Sequence, residues 1–388
     1  MSHEYEQVKG KIVTPAVVVS ALAIVIMATF VIYRMFNGIG PITNLSDGYP
    51  WGIWLGYDVA IGSAFACGGY ILAIICYIMN GWKYHPMIRS AVLASMFGYA
   101  LAGASVMVDI GRYWNSYGFF VPSRMQINSV MFEVALCIMA YTTVLIIEFL
   151  PSVLDRFTLF KNDSIFKKVA IFVGPKLDKV LIFIIVLGVT LPSMHQSSLG
   201  SLFIIMGTKL HVLWQTNLLP LLFLLNAMTL GLAIVFFETG LASAGFKRRY
   251  EYEALDLAKF AAVVSGLWLV VRFGDLIYRG EIAAMYNSGA MSGAFWAEII
   301  LIAIPFLIFL SKPGPKMAFY AGLLLCLGGG IYRFNVYVTG FNAGPGFEIY
   351  FPSFPEFMVT FGFVAVEVFA YLVLVKLLRI FPKEHAAH

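Results

Sequence analysis

Seven ionisable side chains lie inside, or at the ends of, long apolar segments of this sequence. They are Asp58, Asp109, Arg112, Glu133, His195, Arg272 and Asp275. One charge at the centre of a bilayer costs roughly 2.5–3.5 kcal/mol on the mildest insertion scale, so such residues are rarely incidental. The topology argued below predicts that all of them lie near one membrane face. Together they predict a polar pocket between helices.

One chemistry that this pocket could serve is quinone reduction, which takes two electrons and two protons. A guanidinium such as that of Arg112 would stabilise negative charge that develops on the ring. His195 titrates in the useful range and could pass a proton, with Asp109 or Asp58 as its acidic partner. Glu133 is a third candidate for that acid. The candidate quinone-binding side chains are Asp58, Tyr57, Tyr99, Tyr113, Trp114 and Gln196.

Haem binding and solute transport are the alternatives. A membrane haem usually needs two facing histidines, and only His195 of the six histidines lies in an apolar segment. The sequence therefore predicts no haem. A transporter would also place charges inside a bundle, commonly with helices interrupted at mid-membrane. Pro192 and Pro220 instead fall near the predicted outer ends, so a secondary transporter stays as an alternative.

A purely structural role is also open for two pairs of these residues. Asp109 and Arg112, like Arg272 and Asp275, are spaced i,i+3 and would be neighbours on one helix face. Each pair could be an ion pair at the membrane interface. Arg272 and Asp275 are second choices for the site, as the counterpart of the first pair in a duplicated unit.

Composition places the whole chain in a membrane. Of the 388 residues, 60% are apolar and 12% are charged, about half the charged fraction of a soluble domain. Residues 15–36 form an apolar run without a cleavage site, which predicts an anchor rather than a signal peptide.

The four cysteines are isolated, so the sequence predicts no iron–sulfur cluster and no metal site. A net charge of +5 from loop residues requires no nucleic-acid partner.

The apolar segments define the predicted fold, an all-α integral membrane protein with about ten transmembrane helices. Similar motifs at 108–114 and 271–280 suggest two related four-helix bundles, helices 2–5 and 6–9, flanked by helices 1 and 10. A membrane domain at 15–378 would lie between tails at 1–14 and 379–388. The predicted helices are 15–36, 51–79, 88–113, 128–150, 178–200, 214–243, 258–279, 293–311, 316–335 and 356–378.

Basic residues predict the orientation. With the N-terminus inside, the inner segments carry nineteen Lys and Arg residues and the outer segments carry seven. Positive loops favour the cytoplasmic side, so both termini are predicted to be cytoplasmic. Acidic residues could then line a proton route from the cytoplasm and make quinone reduction electrogenic. The candidates for that route are Glu133, Glu148, Glu238 and Glu367, with Tyr99 and Ser105.

Several long motifs resemble the NrfD/PsrC-like family of quinone-interacting membrane subunits, and most closely its HybB-like branch from periplasm-facing nickel–iron hydrogenases. The resemblance extends to YFPSFPEF (350–357). It rests on GYPWGIWLGYDVAIGSAFACGGY (48–70), YHPMIRSAVLASMFGYALAG (84–103), DIGRYWN (109–115), LPSMHQSSLGSL (191–202) and RFGDLIYRG (272–280).

This resemblance implies a subunit of the bacterial inner membrane without a redox metal of its own. Electrons would come from a periplasmic, ferredoxin-like iron–sulfur subunit, which nickel–iron large and small hydrogenase subunits supply by oxidising hydrogen. The acceptor would be menaquinone or ubiquinone near the periplasmic face. Within the family, an anchor for a polysulfide or nitrite reductase is the alternative, and ten helices rather than eight favour the hydrogenase. The aromatic segment 338–356 could cap the quinone entrance, dock the iron–sulfur partner or simply connect two helices.

Overall fold

The computed structural model describes residues 5–49, 51–158, 164–246, 254–347 and 349–383. Ten helices in these ranges are long and apolar enough to cross a membrane. They are α1 (Pro15–Asn37), α2 (Trp54–Ile78), α3 (Trp82–Asp109), α4 (Val130–Thr158), α5 (Ile165–Ile204), α6 (Leu219–Phe246), α7 (Ala258–Tyr278), α8 (Ala290–Leu310), α9 (Pro315–Thr339) and α10 (Phe354–Leu377). The prediction of an all-α integral membrane protein is confirmed.

The helices form two groups of four and one pair. In the first group α4 packs on α5 and α3, and α2 packs on α3 and α5. The second group repeats this ring, with α9 against α6 and α8, and α7 against α6 and α8. Helices α1 and α10 pack on each other at the side. The groups join along α6, which contacts both α2 and α5.

The two ends of the molecule can be told apart by the termini. Strand β1 (Tyr5–Glu6) pairs antiparallel with β2 (Phe381–Pro382), so both termini lie at one end, here called the terminal face. The opposite end, the distal face, carries the segments 38–53, 110–129, 205–218, 279–289 and 340–353.

Residues 1–4 and 384–388 of the predicted tails lie outside the described residues. The same holds for Lys161, Lys247, Arg248 and Arg249 of the inner basic set.

Helix α2 is irregular where the sequence predicts an uninterrupted helix over 51–79. It consists of π-helical turns at Trp54–Val59 and Ile74–Ile78 and short α-helical pieces at Gly62–Phe65 and Gly68–Ala73. In the first turn the Ala60 N–H donates to the Leu55 carbonyl, five residues back, at 3.0 Å. Glycines within this span lower its helix propensity, and hydropathy does not register such a local change. The result turns side chains of one span towards two different sites.

Helix α5 begins at Ile165, well before residue 178, where its apolar segment was predicted to begin. Its 40 residues span about 60 Å, twice the hydrocarbon core of a bilayer. The additional turns pack against the end of α4 in a separate apolar cluster of Leu154, Ala170 and Leu177. Charged residues near position 178 end a hydropathy segment, but they do not end a helix.

Candidate functional site

A cavity of about 960 Å³ opens at the distal face. It lies between the start of α2, the segment 205–218 and the segment 340–353, and is called the distal cavity here. Its walls are largely apolar and rich in Phe and Tyr side chains, and a few polar side chains interrupt them. The lining includes Tyr49, Ile53, Tyr57, Thr208, His211, Gln215, Met291, Phe334, Thr339, Phe341, Phe347, Tyr350, Phe357, Thr360, Phe361 and Val364. Its size and mixed lining are typical of a small-molecule site.

One buried carboxylate fixes the outer wall of this cavity. The Tyr350 hydroxyl donates to Glu356 Oε1 at 2.5 Å and accepts from the Ile53 N–H at 2.9 Å. Glu356 Oε2 accepts from the Asn44 and Ser353 N–H groups at 3.0 and 2.8 Å. Burial, and then the Glu356 carboxylate, raise the pKa of Tyr350, so its hydroxyl remains a donor. The aromatic segment 338–356 is thus a built wall of the cavity rather than a loose connection.

His211 brings a hydrogen-bond donor to the cavity. Its Nδ1 accepts from the Leu213 N–H at 3.3 Å, which assigns the ring proton of the neutral imidazole to Nε2. The backbone N–H of His211 donates to the Gly340 carbonyl at 2.8 Å and joins two distal segments. Burial lowers the pKa of His211, against a smaller opposing effect of Glu281. The imidazole is therefore neutral at pH 7, with one N–H available.

A second, elongated cavity follows α6 and α10 from the distal cavity towards the terminal face. This groove, called the acidic groove here, has a volume of about 410 Å³ and shares Tyr57 and Val364 with the distal cavity. The Thr360 hydroxyl, in the wall of the distal cavity, donates to Asp58 Oδ2 in the groove at 3.3 Å. The groove is largely apolar, but three carboxyl groups line it: Asp58, Glu238 and Glu367.

The predicted residues His195 and Gln196 lie in a separate, fully buried network, called the interior cluster here. His195 Nε2 and Ser63 Oγ are 3.1 Å apart, and Gln196 Nε2 donates to Ser63 Oγ at 3.1 Å. The same amide donates to Tyr99 Oη at 3.2 Å, and Cys67 Sγ lies 3.6 Å from that oxygen. His195 Nδ1 and Gln196 Oε1 have no hydrogen-bond partner among the described residues. Buried polar atoms without a hydrogen-bond partner are uncommon, and these two atoms can still form a hydrogen bond.

Two predicted glutamates of the first group lie between α4 and α5. Ser198 Oγ donates to Glu133 Oε1 at 2.8 Å, one helical turn from His195. Glu148 lies further towards the terminal face, beside Gly188, where an added Cβ would come within 2.5 Å of its Oε1. These glutamates therefore extend the interior cluster, whereas Glu238 and Glu367 belong to the acidic groove.

The expected pairing of Asp109 with Arg112 is not what the structure shows. Helix α3 ends at Asp109, and Arg112 lies exposed in the following segment. Asp109 interacts electrostatically with the buried Arg34, whose guanidinium donates to the Ile110 carbonyl and lies 5.4 Å from the centre of the Tyr113 ring. Asp109 Oδ1 is buried without a hydrogen-bond partner among the described residues. Trp114, a predicted ring contact, is 60% exposed.

Arg272 and Asp275 are fully engaged in other contacts. Arg272 Nη2 lies 2.8 Å from Glu298 Oε1, and both side chains are inaccessible to solvent. Trp214 Nε1 and Asn335 Nδ2 donate to Glu298 Oε2 at 3.0 and 2.8 Å. Asp275 accepts instead from Arg279 and Thr216. This second polar centre is saturated, which is typical of a structural network.

The seven residues thus do not converge on one pocket. Asp58 and Tyr57 lie at the junction of the distal cavity with the acidic groove, and His195, Gln196 and Tyr99 form the interior cluster. Glu133 lies between α4 and α5, and the remaining residues lie outside both sites: Asp109, Arg112, Arg272 and Asp275. Sequence reasoning missed His211 and Thr360. His211 was passed over because it lies in a polar connection, and Thr360 because its partner Asp58 is 302 positions away.

The described histidines do not fit a haem between two axial imidazoles. His85 lies at the terminal face and His211 at the distal face, while His195 is packed between Ser63 and Tyr99 inside the bundle. Aromatic contacts of these three rings are with Tyr or Trp. No pair of histidines in the described ranges faces one another across a space that a porphyrin could occupy.

Ten helices long and apolar enough to span a membrane, with a ligand-sized cavity at one end, define a polytopic membrane protein. The family model described as "Polysulphide reductase, NrfD" matches residues 41–343, and the chain belongs to that family. A relative from Escherichia coli K12, named "Probable Ni/Fe-hydrogenase 2 b-type cytochrome subunit", is 39% identical over 98% of this chain and 96% of its own.

Two more distant relatives carry names that describe menaquinone chemistry. The "Menaquinone reductase, integral membrane subunit" of Nitratidesulfovibrio vulgaris is 26% identical over 91% of this chain and 88% of its own. The "Hdr-like menaquinol oxidoreductase integral membrane subunit" of Archaeoglobus fulgidus is 24% identical over 99% and 98% of the two chains. All three relatives are thus named as subunits of larger assemblies or oxidoreductases.

The Arg272–Glu298 pair yields a test of its structural role. Glu298→Gln would leave a buried guanidinium without its counter-charge and should lower the free energy of unfolding by about 3–5 kcal/mol. Asp256→Asn removes a pair with Lys83 in which both side chains are more than half exposed, and should cost under about 1 kcal/mol. Thermal unfolding in detergent, followed by tryptophan fluorescence, would compare them. Equal melting temperatures for the two variants would contradict a structural role for the buried pair.

Proposed function

We propose that this chain is the quinone-reactive membrane subunit of a periplasm-facing nickel–iron hydrogenase in a bacterial inner membrane. In this proposal a ferredoxin-like iron–sulfur subunit, fed by the nickel–iron large and small subunits, delivers two electrons to a quinone in the distal cavity. The observation that carries the proposal is that cavity, with its aromatic walls, its His211 donor and its link through Thr360 to Asp58. The names of the hydrogenase and menaquinone relatives support the partner and the substrate.

The orientation rests on loop charges. Three of the seven basic residues counted as outer, Arg34, Arg272 and Arg333, are buried inside the protein. They therefore do not count against the positive-inside rule, and the bias towards the terminal face is stronger than the sequence indicates. Both termini are then cytoplasmic, and the distal cavity lies on the periplasmic side, where an iron–sulfur partner can approach it.

Each feature of the distal cavity has a task in quinone reduction. Aromatic side chains such as Tyr57 and Phe341 give flat apolar surfaces for the ring. The His211 N–H would donate to a quinone oxygen and stabilise negative charge as electrons arrive. Thr360, bonded to the Asp58 carboxyl group, offers a hydroxyl through which a proton could pass. A bound quinone would supply the two-electron acceptor.

Protons would come from the cytoplasm by way of the acidic groove. Glu238, Glu367 and Asp58 line it. Their positions along α6, α10 and α2 put Glu238 furthest from the distal face and Asp58 nearest to it. Glu367 and Thr360 are seven residues apart on α10 and therefore lie on the same face of that helix. In this proposal the groove carries protons, and the position of the quinone on the periplasmic side makes turnover electrogenic.

The interior cluster is proposed as a second acid–base station. His195, Gln196 and Tyr99 lie beside Glu133 and Ser198 within the first group of helices, and Glu148 continues towards the cytoplasm. The unpartnered His195 Nδ1 could accept a proton or bind a water molecule there. Asp109, Tyr113 and Arg112 have no contact with the distal cavity, so no part in quinone binding is proposed for them.

An anchor for another periplasmic oxidoreductase remains the second candidate. The menaquinone reductase and menaquinol oxidoreductase relatives favour it, because both align with nearly the whole chain. The two candidates share the quinone cavity and differ in the electron donor. Purification from the native membrane would distinguish them, since a nickel–iron protein should accompany the chain only under the first. The names of the relatives give the transporter alternative no support.

His211 gives the direct test of the cavity. His211→Phe keeps an aromatic ring but removes the donor, and should lower hydrogen-dependent reduction of a menaquinone analogue about ten- to a hundredfold, because stabilisation of the reduced oxygen is lost. His211→Asn retains a side-chain N–H and should recover part of the rate. Hydrogen-dependent reduction of a soluble dye should not change in either variant.

The control for this test is His85→Phe, which changes a histidine at the opposite face. It should leave both activities at the wild-type level. If His211→Phe reduces the quinone analogue as fast as this control does, the distal cavity is not the quinone site. If no hydrogenase accompanies the chain, the second candidate replaces the first.

Glu238 tests the groove as a proton route. In sealed vesicles, Glu238→Gln should abolish the membrane potential generated during hydrogen-dependent quinone reduction, because an amide cannot carry a proton onward. Turnover itself should continue with protons taken from the other side. A potential-sensitive dye would follow the effect, with an ionophore as the reference for zero potential. A wild-type potential in this variant would remove Glu238 from the route.

A further inference from the structure

A second pocket at the distal face lies apart from the quinone cavity and from the acidic groove. It is a shallow depression of about 420 Å³ between the segment 110–126 and the start of α4. It is called the arginine pocket here, and it shares no lining residue with the other two cavities. Its polar lining consists of Arg112, Arg124, Asn115, Ser116 and Gln126.

The charge of this pocket is entirely positive. Two guanidinium groups line it, and none of its lining residues is acidic. Arg124 donates to the Tyr117 hydroxyl at 3.2 Å, which leaves most of its N–H groups unused. The Arg112 side chain makes no hydrogen bond or ion pair with any residue in the described ranges. The unused N–H donors of these two guanidinium groups, beside amide and hydroxyl groups, match the oxygens of a phosphate group.

The surroundings of the pocket are apolar, although they lie on the surface. Ile127 is 77% exposed, Phe120 67% and Met131 53%. Leu136 is 47% exposed and lies four residues after the pocket residue Phe132, on the same face of α4 and nearer the membrane centre. Exposed aromatic and aliphatic side chains at the end of spanning helices lie at the level of lipid head groups. The cationic pocket thus lies where a phosphate of the distal leaflet would be found.

We propose that the arginine pocket binds the phosphodiester group of an anionic phospholipid from the distal leaflet. Arg112 and Arg124 would bind the phosphate oxygens, and the acyl chains would lie along the face of α4 that carries Phe132 and Leu136. The absence of any acidic group from the lining leaves nothing to receive the ammonium group of a zwitterionic lipid. A free phosphate ion has the same oxygens but would gain nothing from the apolar surface. This inference is independent of the quinone proposal.

The test uses the full-length chain with its co-purifying subunits in detergent. Phosphatidylglycerol would be titrated into wild type, into the Arg112→Gln/Arg124→Gln double variant, and into Lys209→Gln. Lys209 is an exposed cation of the same face outside the pocket and provides the matched control. Native mass spectrometry would count retained lipid, and the melting temperature would report stabilisation. Both arginines are exposed, so all three proteins should fold alike.

We expect phosphatidylglycerol to bind wild type and Lys209→Gln equally, and to bind the double variant at least tenfold more weakly, since charge-assisted hydrogen bonds are lost. Phosphatidylcholine with the same acyl chains, and inorganic phosphate, should bind wild type much more weakly. Equal binding of phosphatidylglycerol to the double variant would overturn the proposal. Equal binding of phosphatidylcholine would overturn it as well. If inorganic phosphate stabilises wild type as well as the lipid does, the pocket is a free-anion site and the lipid assignment is wrong.

Discussion

A single buried guanidinium, that of Arg333, holds the irregular span α2 against the second group of helices. Its Nη1 donates to the Ala60 carbonyl at 2.7 Å, its Nη2 to the Phe223 carbonyl at 2.7 Å, and its Nε to Asn226 Oδ1 at 2.6 Å. A bilayer offers no water to replace these bonds, so the charge and the carbonyls must satisfy one another inside the protein. The bond to Ala60 falls directly after the π-helical turn. It therefore helps to fix the register of α2, which turns Asp58 towards the acidic groove and Ser63 towards the interior cluster.

The two groups of helices use their buried charges differently. In the second group Glu298 is saturated by Arg272, Trp214 and Asn335. The positions about 165 and 163 residues earlier, Glu133 and Asp109, are both acidic, so the first group lacks the corresponding ion pair. Buried atoms without a hydrogen-bond partner among the described residues occur in both groups, for example Asp109 Oδ1 in the first and Tyr332 Oη in the second. A buried pair that is neutralised in the second group, and carboxyl groups without that counter-charge in the first, are consistent with a structural role for Arg272 and Glu298.

Hydropathy predicted the ten helices because the bilayer imposes a length and an apolar composition on every span. It could not predict where helical geometry fails. The i,i+3 argument for Asp109 and Arg112 assumed one continuous helix, but α3 ends at Asp109. Counting Arg34 and Arg333 as loop charges failed for a related reason, since both lie at helix ends that tertiary packing buries. His211 and Thr360 gain their meaning only from residues far away in the sequence, which no local pattern reveals.

The location of the quinone is the central claim, and photolabelling tests it most directly. A photoreactive menaquinone analogue would be cross-linked to the purified complex, with and without excess menaquinone, and the labelled peptides identified by mass spectrometry. We expect labelling within 205–218 and 338–361, the walls of the distal cavity, and expect excess menaquinone to abolish it. Competed labelling confined to α4 and the His195 region of α5 would contradict it and would place the quinone in the interior cluster.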